Sequence, residues 1–127
     1  MELKVVYEHL SDTVTVVTVE GEYDVYASPG LRAALIELID QGRLHLVLDM
    51  SGVEFVDSTF LGVVVGARKR LRAGGGGMAL MRITPEVTTM LSRMGAAKLF
   101  RNHASVAHAV EALTHTEPRR ALISPQR

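Results

Sequence analysis

The chain has 127 residues, of which 47% are hydrophobic and 22% charged, the balance of one globular domain rather than of a disordered chain. Its 14 Lys and Arg residues cancel its 14 Asp and Glu residues, so no net positive charge is available to attract nucleic acid. The absence of cysteine excludes disulfides, thiolate metal sites and a cysteine nucleophile.

The first predicted elements are two strands. β-branched residues dominate TVTVVTVE at 13–20, which predicts a strand, and another strand is predicted at about 3–8. Ser11 and Asp12 lie between them as short polar turn residues. We therefore expect an antiparallel hairpin at the amino terminus.

A helix and a buried strand are predicted next. Ser28 and Pro29 resemble an N-cap and a first helical position, and the apolar period that follows them ends at Gly42. The run LHLVLDM at 44–50 has the length and apolar character of a strand that is buried on both faces. Such a strand is typical of a parallel sheet flanked by helices.

The middle of the chain predicts a second helix and a short strand. Leu61, Val64 and Leu71 supply the inward stripe of a helix over about 58–72. The glycines at 74–77 are interpreted as a helix stop and a flexible connector, because they lack the Gly-Lys-Ser/Thr ending of a nucleotide-binding P-loop. A strand is predicted at 78–82.

Two further helices complete the predicted domain. One begins at Thr84 and Pro85, and Ser105 can cap the other, with Leu99 and Phe100 forming a minimal edge strand between them. The order of elements predicts one α/β domain at 1–115, with a mixed sheet of four to five strands and about four flanking helices. The apolar period stops near residue 116, so 116–127 are expected to form a flexible tail.

One segment carries a recognisable motif. LDMSGVEFVDS, followed by LG and a valine-rich helix that ends in basic residues, is similar to the phosphorylation loop of the STAS family of bacterial anti-sigma factor antagonists. GEYD at 21–24 resembles the family's motif after its second strand, and the MRITPEV turn and the glycine after Met94 extend the resemblance to near Thr116. The resemblance implies the STAS fold and a regulatory protein that is not an enzyme and needs no cofactor.

The resemblance also implies a switch at Ser58. In the family, the serine after the motif aspartate is phosphorylated by an anti-sigma factor that has serine kinase activity. The unphosphorylated chain would bind that anti-sigma factor and free its sigma factor, until phosphorylation ends the binding and a serine phosphatase restores it. A helix start favours phosphate, because its first N–H groups are unpaired. Thr59 is a second possible acceptor, one position out of register.

The expected partner-binding surface comprises Asp24, Asp57, Ser58, Thr59 and Phe60. Asp57 would orient the Ser58 hydroxyl or cap the helix, and Asp24 would dock from the neighbouring loop. Residue types alone explain Asp57 and Ser58 equally well as N-caps, and Asp24 as a solvated turn carboxylate. Phe60 stands where the family usually has glycine; it fills a notch on a partner, obstructs the kinase, or folds back onto the core.

Other motifs are less specific. Arg68, Lys69, Arg70 and Arg72 could meet an acidic partner, although cations at a helix C-terminus are also stabilised by the dipole. The five histidines lack metal-ligand spacing, so no metal site is expected, and Ser58 lacks the GxSxG context of a hydrolase.

The location and assembly of the chain are also predicted. The amino terminus does not resemble a secretion signal, and the longest apolar run has eight residues, too few for a membrane span. We expect a cytoplasmic protein that is a monomer or weak homodimer and contacts no membrane. Two alternatives remain open: a STAS scaffold component of a stress-signalling assembly, which Phe60 slightly favours, and a nucleotide-binding module at the Asp24 and Ser58 loops.

Overall fold

The computed structural model describes the backbone of residues 4–123 and the side chains of residues 5–114. Within that range the strands are β1 (Lys4–His9), β2 (Val14–Tyr23), β3 (His45–Val56), β4 (Gly77–Met81) and β5 (Asn102–His103). The helices are α1 (Ser28–Asp40), α2 (Ser58–Ala73), α3 (Pro85–Arg93) and α4 (Val106–Ile123). The strands form one sheet in the order β1-β2-β3-β4-β5, with β1 antiparallel to β2 and the other neighbours parallel. The predicted mixed sheet with its amino-terminal hairpin and flanking helices is confirmed.

Helices cover both faces of the sheet. Successive side chains of a strand point to opposite faces, so Leu48 packs into the larger apolar cluster beneath α1, α2 and α3, whereas Val47 packs into the smaller one beneath α4. Every residue of β3 from His45 to Met50 is buried. This confirms that the run is a central strand, and it explains why its sequence shows no alternation.

The edge strand lies elsewhere than predicted. Leu99 lies in a turn with 43% of its surface exposed, and Phe100 lies outside the ladder. The strand is β5, three residues after the predicted one, and it pairs with the end of β4. The side chain of Asn102 fixes this register, since its oxygen accepts from the Ile83 amide at 2.8 Å and its nitrogen donates to the Ile83 carbonyl at 3.2 Å.

The glycines at 74–77 end α2, which confirms the predicted helix stop, but they form a tight hydrogen-bonded turn rather than the expected flexible connector. Gly75 adopts a φ of +90°, in the left-handed region, and the amide of Gly76 donates to the last turn of α2 at 2.8 Å. The amide of Gly77 donates to the carbonyl of Leu44 at 3.0 Å, which joins β4 to β3. A Cβ on Gly76 would lie 1.8 Å from the same carbonyl oxygen. The turn is fixed by close backbone contact.

The last helix passes the predicted domain boundary at residue 115. Its backbone is helical to Ile123, but side chains from residue 115 onward, and residues 124–127 altogether, lie outside the described residues. The flexible tail at 116–127 therefore stays a prediction. Across the described part of the chain, no helix combines the length and the apolar character needed to cross a bilayer.

Candidate functional site

Ser58 is the first residue of α2, at the end of the sheet where the parallel strands finish. Its side chain is exposed. The β2–β3 register pairs Tyr23 with Val56, so Asp24 and Asp57, which follow these two residues, lie at the same end of the sheet. The structure thus brings the two sequence motifs together beside an accessible hydroxyl.

Asp57 caps α2. Its Oδ1 accepts hydrogen bonds from the amides of Thr59 at 2.9 Å and Phe60 at 3.3 Å, and from the Thr59 hydroxyl. Burial alone would raise the pKa of Asp57, but these hydrogen bonds outweigh it and hold the pKa below its usual value of 3.8. Of the two roles predicted for Asp57, the geometry shows the cap; its bonds go to the two residues after Ser58.

The Thr59 hydroxyl already has hydrogen-bond partners. Its half-buried hydroxyl donates to the Asp57 carboxylate and lies 3.4 Å from the Oγ of Ser28. Ser28 is the first residue of α1 and is buried, so its expected place as the N-cap is wrong by one residue; Ala27 is the N-cap and makes no side-chain capping bond. The two helix starts therefore touch through hydroxyl groups. Of the two residues predicted as phosphorylation sites, Ser58 is the more accessible.

Asp24 closes the turn that precedes α1. Its Oδ1 accepts from the amides of Tyr26 and Ala27, both at 3.0 Å. The carboxylate is half-exposed, and the geometry is that of a turn aspartate. It folds the loop so that Val25 and Tyr26 point outward, with 54% and 89% of their surfaces exposed.

Three exposed apolar side chains at this end were not predicted as site residues. Besides Val25 and Tyr26, Phe55 is 38% exposed, and it pairs in register with Glu22, just before the Asp24 loop. Large exposed apolar groups close together are a common mark of a protein interface. The signal in the sequence was the apolar pair Val25 and Tyr26 directly after Asp24.

Phe60 was predicted as a partner-binding residue, and the structure corrects this. Its side chain is only 1% exposed, and its ring centroid lies 6.0 Å from that of buried Tyr23, with the planes tilted by 56°. Of the three interpretations of this residue, folding back onto the core is the one that the structure shows. The ring therefore belongs to the core and not to the exposed surface.

The first aspartate of the motif, Asp49, has a structural role. It is 4% exposed, and its carboxylate accepts from the Arg82 guanidinium and, at 3.1 Å, from the Ser51 amide. Burial alone would raise the pKa of Asp49, but the hydrogen bonds and the Arg82 charge keep it below 3.8. Arg82 reaches it from a left-handed backbone with φ of 54°. The described residues contain no group of three or more acidic or histidine side chains placed to hold a metal ion.

Comparisons with known proteins agree with this fold and motif. The family model for the STAS domain matches residues 5–109. The anti-sigma F factor antagonist of Paenibacillus polymyxa is 33% identical over 118 residues, which cover 92% of this chain and 97% of the relative. The anti-sigma-B factor antagonist of Bacillus subtilis (strain 168) is 35% identical over 79 residues, covering 62% and 72% respectively.

A solved structure shows the same architecture. The crystal structure of an anti-sigma factor antagonist from Mycobacterium paratuberculosis superimposes with a TM-score of 0.75 at 26% identity, covering 88% of this chain and 94% of that one. The family match spans the strands β2 to β5 and the loop that carries Ser58. This chain belongs to the STAS domain family.

Proposed function

We propose that this chain is a cytoplasmic anti-sigma factor antagonist that is switched by phosphorylation of Ser58. The unphosphorylated form binds an anti-sigma factor with serine kinase activity and so frees a sigma factor. Phosphorylation ends the binding, and a serine phosphatase restores it. The observation that carries the proposal is the exposed hydroxyl of Ser58 at the start of α2, within a chain whose relatives are named anti-sigma factor antagonists.

The cap geometry suggests how the phosphate acts. The Asp57 carboxylate already accepts hydrogen bonds from the amides of Thr59 and Phe60. A phosphate on Ser58 could bind these amides only by displacing the carboxylate. The phosphate adds about −1.5 to −2 charges beside an ionised carboxylate, and it stays on the surface. The modification therefore changes what a partner meets rather than how the domain folds.

The surface that meets the partner is defined by Asp24, Val25, Tyr26, Phe55 and Ser58, here called the docking surface. Its apolar members provide contact area, and Tyr26 is the most exposed of them at 89%. Exposed tyrosines are frequent energetic centres of protein interfaces. Asp24 acts as a positioning residue, since its carboxylate holds the amides of the loop that presents Tyr26.

The phosphorylation test uses the full chain, its cognate anti-sigma factor and Mg-ATP. We expect intact mass spectrometry to show one added phosphate on the wild type and on Thr59→Val, and none on Ser58→Ala. Ser58→Ala should still bind the anti-sigma factor, because the unphosphorylated surface is nearly unchanged. Ser58→Asp should weaken binding by about tenfold or more, equivalent to about 1.4 kcal/mol.

Thr59→Val is the matched control, because Thr59 is the adjacent hydroxyl and lies half-buried in the cap. A phosphate that persists in Ser58→Ala and disappears in Thr59→Val would move the switch to Thr59. Unchanged binding by Ser58→Asp, measured by calorimetry, would refute the proposed release step.

Tyr26→Ala should weaken binding of the same anti-sigma factor by about 30-fold or more, equivalent to about 2 kcal/mol. The free energy of unfolding should stay nearly constant, because the ring is 89% exposed and so contributes little to the core. Tyr7→Ala is the control, since Tyr7 is also exposed, at 53%, but lies on the edge strand β1. Equal losses of affinity in the two variants would show that Tyr26 has no special part in docking.

A further inference from the structure

The basic cluster at the end of α2 is divided between two sides of the helix. Arg70 faces the groove between α1 and α2. Arg68 and Arg72 line a cleft of about 250 Å³ on the other side, towards β4 and α4. Arg101 and His103 line the same cleft from the β5 segment. The dipole of α2 explains cations in its own last turn, but it does not explain Arg101, which comes from another element.

Among the residues whose side chains the structure describes, 5–114, no carboxylate balances the positive charge of this cleft. The described part of its lining contains no Asp or Glu. Within residues 5–114, Arg82 and Asp49 form the one ion pair. In that range, none of the three cleft arginines has a carboxylate at salt-bridge distance. The chain as a whole carries equal numbers of acidic and basic residues. The cleft is therefore a local concentration of cations on a neutral protein.

The cations of the cleft repel one another. Burial lowers the pKa of Arg68, and the charge of Arg72 lowers it further. Burial likewise lowers the pKa of His103, with further lowering from Arg101 and His108. A negative group placed among these side chains would relieve this repulsion.

The floor of the cleft is apolar. Leu99 is 43% exposed, and the Arg68 guanidinium lies 5.7 Å from the centroid of the half-buried Phe100 ring. Leu113 of α4 also lines the cleft. A cationic rim over an apolar floor fits a ligand that carries both carboxylates and an apolar side chain, rather than a simple inorganic anion.

We propose that this cleft is a second protein-docking site, which binds an acidic segment of a partner protein through Arg68, Arg72 and Arg101 and an apolar side chain over Leu99 and Phe100. The site is separate from the docking surface, because Arg68 follows Ser58 by ten residues of α2, about 15 Å along the helix. The chain's own residues 116–127 are a poor occupant, since they contain three arginines and one glutamate.

The test titrates the full chain with an acetylated, fluorescein-labelled Glu-Glu-Leu-Glu-Glu-Leu peptide. We expect saturable binding by anisotropy that weakens with added salt, and NMR shifts of the backbone amides of residues 99–103 and of Leu113. Arg68→Gln and Arg101→Gln should each weaken binding by about fivefold or more, equivalent to about 1 kcal/mol. Arg70→Gln is the matched control and should bind like the wild type, because Arg70 lies on the other side of α2.

Two further measurements distinguish docking in the cleft from nonspecific electrostatic attraction of an acidic peptide. Leu99→Ser should weaken peptide binding while leaving thermal unfolding nearly unchanged, because Leu99 lies exposed in a turn. A Glu-Glu-Ser-Glu-Glu-Ser peptide should bind more weakly than the leucine peptide. Absence of binding by the wild type, equal weakening by Arg70→Gln, or equal binding of the two peptides would each overturn the proposal.

Discussion

Phe60→Ala lowers the free energy of unfolding by about 3–5 kcal/mol, the largest loss that we expect from truncating a side chain of the motif. The ring is 1% exposed and packs against buried Tyr23, so its removal leaves a cavity beneath the start of α2. The loss is a large fraction of the about 5–15 kcal/mol that stabilise a typical domain. Urea unfolding followed by circular dichroism measures it, with the m-value expected to stay constant.

Phe55→Ala is the control for this prediction. Phe55 lies five residues earlier with 38% of its surface exposed, so its truncation should cost less than about 1 kcal/mol. Phe60→Leu keeps most of the apolar volume and should cost less than about 1.5 kcal/mol. If Phe60→Ala left stability intact and impaired only partner binding, the ring would be a surface contact after all.

The buried ring also bears on the alternatives for function. The scaffold alternative drew slight support from Phe60 in place of the usual glycine. Because the ring packs in the core, this residue alters the interior below the motif and not the surface that an assembly would contact. The buried ring thus adds no surface feature that would favour a scaffold over a switchable binding protein, and the scaffold alternative stays open.

Most of the fold follows from hydrophobic periodicity and capping residues. The strand at 44–50 is predicted from an unbroken apolar run, and the helix starting at Ser58 from an apolar stripe at helical spacing. Both signals are local in sequence, so they are readable without tertiary information. The position of β5 was predicted wrongly because a strand of two residues is too short to show hydrophobic periodicity. Its position depends on hydrogen bonds between Asn102 and Ile83, which are 19 residues apart.

The candidate site was predictable in part, for a similar reason. Asp57 and Ser58 were identified because a cap and a motif are local in sequence. The exposure of Tyr26 depends on how the Asp24 carboxylate folds its loop, and the sequence does not reveal which apolar residues remain outside the core. Arg101 joins Arg68 only because β5 lies beside β4, so that cleft also required the tertiary structure.

Gly76→Ala should lower the free energy of unfolding by about 2–4 kcal/mol, although it adds a single methyl group. The new Cβ would lie 1.8 Å from the Leu44 carbonyl oxygen and 2.6 Å from its carbonyl carbon. Both are backbone atoms of the residue immediately before β3, so relief requires the start of the strand to move. That movement would break the bond from the Gly77 amide to the same carbonyl, which begins the pairing of β4 with β3.

Gly74→Ala is the matched variant in the same glycine run, and it distinguishes close contact from a general need for flexibility. A Cβ on Gly74 would lie 3.7 Å from the nearest backbone oxygen, an ordinary contact, and its φ of −92° suits alanine. Its unfolding midpoint in urea should therefore match the wild type, or rise slightly as alanine extends the helix. Equal destabilisation by the two variants would mean that the turn needs glycine for its flexibility, whereas neutrality of both would mean that the approach to Leu44 relaxes without cost.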